Sequence, residues 1–286
     1  MDLIRNLNYQ SNRSTLYLIA TPIGNLEDIT LRALNILKQV DKIYAEDTRV
    51  TVKLLNHYEI KKPLISFHDH NSSIKMEAVL NDLANGLTIG LVSDAGMPLV
   101  SDPGYDLVKK TLESNFNVVA LPGANALLPA LIMSGIKTHP FLFYGFLDAK
   151  ISKRQEEIKE LQYRKETLIF YEAIHRIKQT LRDMYDILGD REFVIAREIT
   201  KAYEEIIKGN LSEYEDLPDL KGELVLIVEG YLNIQQESNL SIIDQIDFFI
   251  ESGLKKTEAM KKVSELTGLP KNQIYQRYLN EKINKE

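Results

Sequence analysis

The sequence predicts an α/β protein in two domains with a small helical tail. The first domain is expected to carry a parallel sheet and the second, of α+β type, a mixed and partly antiparallel one. Three observations predict this. Short apolar runs alternate with amphipathic helical patterns through the first half, strands outnumber helices after a charged run that follows Gly145, and the pattern from Ile242 onward is wholly helical. With 286 residues, 44% apolar and 27% charged, the chain can bury a core for about two domains. The expected divisions are a flexible arm at 1–14, a first α/β domain at 15–147, a second domain at 148–232 and a helical, helix-turn-helix-like domain at 239–286.

Composition narrows the function. The absence of cysteine excludes disulfides, thiolate metal sites and a cysteine nucleophile. A net charge of −6 argues against indiscriminate nucleic-acid binding, although residues 239–286 hold eight Lys/Arg against seven Asp/Glu. The arm lacks the apolar core of a signal peptide, and the longest apolar stretches are too short for a spanning helix, so a cytoplasmic protein with no membrane partner is expected.

The first strand is expected over 16–20, closed by the turn Thr21-Pro22-Ile23-Gly24-Asn25. Asp28 is placed to cap the next helix, in which Leu31, Leu34, Leu37 and Val40 recur at three-residue steps along one face. A strand over 42–45, a helix near 50–57, a strand over 64–67 and a helix near 74–85 repeat the pattern. A continuous apolar strand over 88–92, a helix over 105–114, a strand over 117–120 and an Ala- and Leu-rich helix over 124–134 complete it. Such alternation requires a parallel sheet covered on both faces.

The charged run 150–165, whose acids and bases nearly balance, reads as a solvated helix face and marks the domain boundary. Beyond it, strands are expected over 167–171, 193–196, about 202–208 and 223–229, with a helix over 173–188. The tail divides into helices over 243–251, 256–267 and 271–281, broken at Gly253 and at Gly268-Leu269-Pro270. Residues 257–278 resemble a helix-turn-helix, and a small helical bundle serving as a contact surface fits them equally.

The strongest chemical feature is the loop 93–104, Ser-Asp-Ala-Gly-Met-Pro-Leu-Val-Ser-Asp-Pro-Gly, directly after a buried strand, where open α/β sheets bind their ligands. Gly96 and Gly104 permit close backbone approach, two prolines stiffen the loop, and the carboxylates of Asp94 and Asp102 suit a cationic sulfonium better than a phosphate. The bland alternative is a tight connection with helix-capping aspartates. Leu121-Pro122-Gly123-Ala124-Asn125-Ala126 ends a neighbouring strand in the same way. Neither loop carries a dinucleotide or P-loop phosphate cradle.

The motifs Thr21-Pro22-Ile23-Gly24-Asn25-Leu26, Ala45-Glu46-Asp47-Thr48-Arg49, His68-Asp69-His70-Asn71, Ser93-Asp94-Ala95-Gly96 and Leu121-Pro122-Gly123 stand in order with Phe170-Tyr171-Glu172-Ala173-Ile174-His175-Arg176, Ala196-Arg197-Glu198-Ile199-Thr200-Lys201 and Lys221-Gly222-Glu223. Together they resemble the ribosomal RNA small subunit methyltransferase I family, within the tetrapyrrole methylase fold. The resemblance covers about 15–230. It implies S-adenosylmethionine as cofactor in a cleft between two α/β domains, 2′-O-methylation of a cytidine in the decoding region of small-subunit ribosomal RNA, either naked or in the assembled 30S subunit, and a homodimer.

Carried over by motif, the resemblance implies cofactor contacts from Pro22, Ser93, Asp94, Met97, Asn125, Ala126, Tyr171 and Glu172. Met97 and Asn125 depart from the family's usual residues, which leaves their backbone contacts firmer than their side-chain roles. Asp47, Arg49, Glu172 and Lys201 are the catalytic candidates, and His70, Arg176, Arg197 and Lys201 the RNA-binding ones. Each also has a structural reading: Asp47 with Arg49 as a cap and ion pair, Glu172 to Arg176 as a capped helix start, Arg197 with Glu198 as a structural pair. His68 and His70 share a face if extended, but a third ligand is not apparent and no metal is expected. A tetrapyrrole or other small-molecule methylase on this fold is the close alternative, and a DNA-binding regulator using the terminal helices the distant one.

Overall fold

A computed structural model describes residues 13–68, 72–231, 241–251 and 254–283. Residues up to Tyr231 form one compact unit and those from Leu232 onward a second.

In the first unit, β1 (Thr15–Ile19), β2 (Lys42–Ala45), β3 (Leu64–Ser66), β4 (Ile89–Val92) and β5 (Asn117–Leu121) make a wholly parallel sheet in the order β3-β2-β4-β1-β5. They alternate with α1 (Leu31–Gln39), α2 (Thr48–His57), α3 (Ser72–Ala84) and α4 (Tyr105–Glu113). The central strand β4 is buried along its whole length, which is why it reads as an unbroken apolar run. One core packs Leu37, Ile43, Leu55 and Leu121. The other packs Leu16, Tyr44, Phe67, Ile89 and Leu107. Neighbours in sequence such as Ile43 and Tyr44 enter different cores, as strand alternation requires.

Capping at α1 differs from expectation. Thr30, not Asp28, accepts the N–H of Ala33 at 3.0 Å. Asp28 ends a short 3-10 turn, Leu26–Asp28, capped by Asn25. Leu31, at the first helical position, is 80% exposed and lies off the buried face formed by Ala33 and Leu37.

The second sheet holds β6 (Phe141–Phe146), β7 (Thr167–Glu172), β8 (Glu192–Arg197), β9 (Glu205–Asn210) and β10 (Leu224–Val228), ordered β6-β7-β10-β8-β9. Only β6 and β7 run parallel. α6 (Ile151–Leu161) and α7 (Ile177–Leu188) supply Ile158, Leu161, Leu181 and Met184 to the core on one face. α5 (Leu127–Ser134), which follows the last strand of the first sheet, places Ala130 and Leu131 against Ile169, Val194 and Val225 on the other. The change of sheet therefore falls before β6, whereas the sequence placed it after residue 147. The apolar stretch 141–147 is an edge strand paired to β7. β9 begins at Glu205 because residues 198–201 turn, with Glu198 at φ 51° and Thr200 at φ 66°.

The charged run is not a uniformly solvated face. Arg154 on α6 is 1% exposed and pairs with Asp183 of α7, Nε to Oδ2 at 2.8 Å and Nη2 to Oδ2 at 2.6 Å. Gln155 donates to the other Asp183 oxygen at 2.9 Å.

In the second unit, α8 (Ile242–Glu251), α9 (Lys256–Thr267) and α10 (Lys271–Ile283) pack pairwise around Ile246, Phe249, Met260, Val263, Ile274 and Tyr278. Gly268, in the left-handed region at φ 69°, ends α9 as expected.

Candidate functional site

The loops after β1, β2, β4 and β5 are tied together. Thr21 and Gly96 exchange two backbone hydrogen bonds of 2.9 Å, and the Thr21 hydroxyl donates to the Ser93 carbonyl at 3.1 Å. The Asp47 N–H donates to Asp94 Oδ1 at 2.9 Å, joining the loop after β2 to that after β4. Gly123 lies so close to Ala20 that a β-carbon there would fall 2.5 Å from the alanine methyl. The loop 93–104 is contorted, with positive φ at Gly96, Leu99, Ser101 and Gly104. Two non-glycine residues in that region mark stored backbone strain, of a kind that clusters at ligand sites.

This loop forms one wall of a cavity of about 670 Å³, inside the size range of small-molecule sites. Gly96, Met97, Val100, Asp102, Asn125 and Ala126 line it from the first lobe. Phe146, Tyr171, Glu172, His175, Ile199, Lys201 and Glu223 line it from the second. Apolar walls with a few convergent carboxylates suit an organic cation.

Glu172 is the most constrained of these groups. Its side chain is fully buried; Oε1 accepts from Arg176 Nε and, at 3.0 Å, from the Ala173 N–H. Oε2 is buried with no hydrogen-bond partner, an arrangement that native proteins rarely leave unexplained. Burial pushes the Glu172 carboxyl above the usual carboxylate range, against the opposing pull of Arg176. Burial, and then the charge of Asp102, raise the Tyr171 phenol likewise.

The turn after β8 crosses to the first lobe. Glu198 Oε1 accepts from Lys201 Nζ at 2.9 Å and from the Glu223 N–H at 2.9 Å, which together hold this carboxyl below its usual range. Lys201 Nζ also meets Glu223 Oε2 at 2.7 Å. Gly222 sits at φ 97°, in the region that favours glycine, and a β-carbon there would push the Glu198 carboxylate out of these bonds. The Thr200 hydroxyl hydrogen-bonds Asp28 of the first lobe.

The structure thus brings Met97, Asn125, Ala126, Tyr171, Glu172 and Lys201 to one cavity. Pro22, Ser93 and Asp94 are not among its lining residues. Ser93 is buried, its Oγ 3.4 Å from the carbonyls of Ala95 and Gly96, and Asp94 holds the Asp47 backbone. Asp47 caps α2 and forms a two-pronged pair with Arg49, which holds its carboxyl at about 2. Arg176 is taken up by Glu172 and the Leu147 carbonyl, Arg197 by Glu205 and the Lys221 carbonyl. His70 lies outside the described residues. Phe146 escaped the sequence reading, and Glu223 entered it only inside the motif Lys221-Gly222-Glu223, with no role assigned. The first sits in a stretch read only as apolar, and the second before a strand, where an acid is unremarkable.

Comparison with known proteins fits this geometry. Residues 15–215 match the family model of Tetrapyrrole (Corrin/Porphyrin) Methylases. The ribosomal RNA small subunit methyltransferase I of Halalkalibacterium halodurans is 46% identical over 280 residues, which are 95% of this chain and 97% of the relative. The chain belongs to that family of tetrapyrrole methylases. The Bacillus subtilis relative of the same name is 45% identical over 96% of this chain and 97% of its own. Among solved structures, uroporphyrin-III-C-methyltransferase from Thermus thermophilus superposes with a TM-score of 0.56 over 76% of this chain and 94% of its own, at 16% identity. That likeness shows that this tetrapyrrole methylase shares the fold of a porphyrinoid enzyme, while its sequence kinship lies with the ribosomal RNA branch.

Proposed function

We propose that this chain methylates small-subunit ribosomal RNA with S-adenosylmethionine, and that its target is the ribose 2′-hydroxyl of a cytidine in the decoding region. The names of the relatives support the coarser statement. The motif resemblance supports the finer one. The observation that carries the reading is the buried, unpartnered Glu172 Oε2 at the wall of a cavity between the strained loop 93–104 and β7.

The residues present fit the cofactor. The glycine backbone at 96, apolar Ile23, Val100 and Ile199, and the carboxylates of Asp102, Glu172 and Glu223 together suit a nucleoside bearing a sulfonium and an ammonium group. When bound, S-adenosylmethionine supplies an electrophilic methyl group. Met97, Asn125, Ala126, Tyr171 and Glu172 are assigned direct contact with it, and Pro22, Ser93 and Asp94 the support of the loops behind. Holding hydroxyl and methyl in line contributes about 7–11 kcal/mol to such reactions, so positioning is the main task of these walls. Glu172 is the assigned acceptor for a proton or hydrogen bond within the cleft, with its second oxygen already anchored. Lys201 is assigned to RNA at the cavity; Asp47, Arg49, His70, Arg176 and Arg197 stand as secondary candidates outside it.

The partners in this reading are the ribosomal subunit, in the cytoplasm, and a second copy of the chain. None of the described helices is long and apolar enough to cross a membrane. The test is labelled S-adenosylmethionine with assembled small subunits, naked RNA and a porphyrinoid in parallel, followed by mapping of the modified nucleotide. Label on a single cytidine ribose supports the proposal. Label on the porphyrinoid alone, or on a base, overturns it.

A further inference from the structure

The edge strand β6 carries one residue too many. Its register with β7 runs Phe141 to Thr167, Leu142 to Leu168 and Phe143 to Ile169, then resumes with Gly145 to Phe170 and Phe146 to Tyr171, leaving Tyr144 as the extra residue of a β-bulge. Leu142 and Tyr144 pack into the core beneath α6 and α7, while Phe143 packs on the opposite face with Ile169 and Tyr171. In an unbroken strand Phe146 would follow Leu142 and Tyr144 toward that helix-covered core, since side chains alternate with a period of two. The bulge reverses its direction.

The reversal is built in. Gly145 sits at φ 87°, a conformation that glycine adopts without penalty, and Ser101 of the contorted loop lies 3.4 Å from the position of a β-carbon there. The outcome is a phenylalanine 55% exposed yet lining the cavity, its ring centroid 5.6 Å from that of Tyr171 at 57°. A chain that exposes an aromatic ring at a cavity, when its default strand geometry would send that ring inward, has given up apolar burial for a contact face. Flat heteroaromatic rings are the ligands that such a face binds best, and unpaired bases are held in this way by single-strand binding proteins.

We propose that Phe146 is the surface on which an unpaired RNA base, that of the nucleotide being modified, stacks at the cavity. This rests on the RNA-methylating reading above. The alternative ring, the adenine of the cofactor, is disfavoured by exposure: Phe146 is the outward member of the pair, and the half-buried Tyr171 lies inside it.

The experiment uses full-length protein and assembled small subunits, with wild type assayed first. A wild type that does not methylate RNA overturns the functional reading and this proposal with it. With wild type active, Phe146→Ala and Phe146→Leu are expected to lower kcat/KM for the particle about tenfold or more, while Phe146→Tyr stays within about threefold of wild type because it keeps the π-face. The dissociation constant of S-adenosylhomocysteine, measured by calorimetry, is expected to shift less than about threefold in all three, as the cofactor contacts assigned above exclude this ring. Retained activity in Phe146→Leu overturns the proposal, because bulk alone then suffices. So does a loss of S-adenosylhomocysteine affinity equal to the loss in kcat/KM, which would assign the ring to adenine. The S-adenosylhomocysteine measurement also serves as the folding control.

Discussion

The stem of Lys201 lies directly against Gly24: a β-carbon on Gly24 would fall 2.4 Å from Lys201 Cγ and 2.7 Å from its Cε. One residue belongs to the loop after β1 and the other to the turn after β8, so this contact, together with Thr200 on Asp28, fastens the two lobes beside the cavity. Gly24→Ala is expected to displace the lysine from Glu198 and Glu223 and to destabilise the protein by about 1–3 kcal/mol, the usual cost of overpacking. Adding Lys201→Ala should recover the part of that loss due to the clash with the stem, but not the backbone strain of an alanine at φ 155°. Thermal unfolding of the single and double variants checks this, and additive losses would refute it.

Glu172 makes stability depend on pH in a defined direction. Its carboxyl is raised in the folded protein, first by burial. The group therefore contributes stability that is fully present below the unfolded carboxylate pKa and is lost as pH rises through the higher folded value. Glu172→Gln does not titrate, so its thermal midpoint should rise relative to wild type as pH climbs out of the acid range. The same variant should bind S-adenosylhomocysteine more weakly at neutral pH. Parallel pH profiles of the two proteins would show that burial of this carboxyl carries no linked cost.

The Arg154–Asp183 pair is buried in the second lobe, its members 1% and 5% exposed. Asp183→Ala leaves a guanidinium uncompensated in the core and is expected to cost about 3–5 kcal/mol. Replacing both members, as in Arg154→Met with Asp183→Leu, should cost far less, since the pair's own attraction roughly repays its desolvation. Denaturant midpoints of the three variants decide it. A double variant as unstable as Asp183→Ala would mean that the pair itself, and not the orphaned charge, matters.

Much of this architecture is written in local patterns. The parallel first sheet is readable because β4 is wholly buried and β1 and β2 nearly so, which forces apolar runs, and because β1, β2 and β4 are each followed by an amphipathic helix. The loops of the cavity are readable for the same reason: glycine and proline after a buried strand have few other uses. What resisted reading depends on contacts distant in sequence. Gly145 interrupts an apolar run and looks like a linker, yet its partner across β7 makes it a bulge. Arg154 sits among lysines and glutamates, and only α7, with Asp183 on its buried face, shows why it turns inward. Asp47 and Arg49 stand at a strand end, where function is expected, but the simpler cap and ion pair is what forms.

That last pair allows a direct test of how much charge it commits. Asp47 Oδ1 accepts the Arg49 N–H at 2.8 Å, and both carboxylate oxygens meet the Arg49 side chain, whose atoms are 88% exposed. The guanidinium hydrogen bonds, and then the backbone N–H, depress the carboxyl to about 2. The associated stabilisation is present above the usual carboxylate pKa and lost as pH falls through about 2. Salt weakens it, because the pair is open to solvent. In Arg49→Ala the N-cap hydrogen bond survives, so the Asp47 midpoint, followed by NMR, should climb only part of the way to its ordinary value. In wild type, raising the ionic strength should move it in the same direction. A midpoint indifferent to both changes would mean that the backbone cap alone holds the charge, which would leave the Arg49 side chain available to a phosphate.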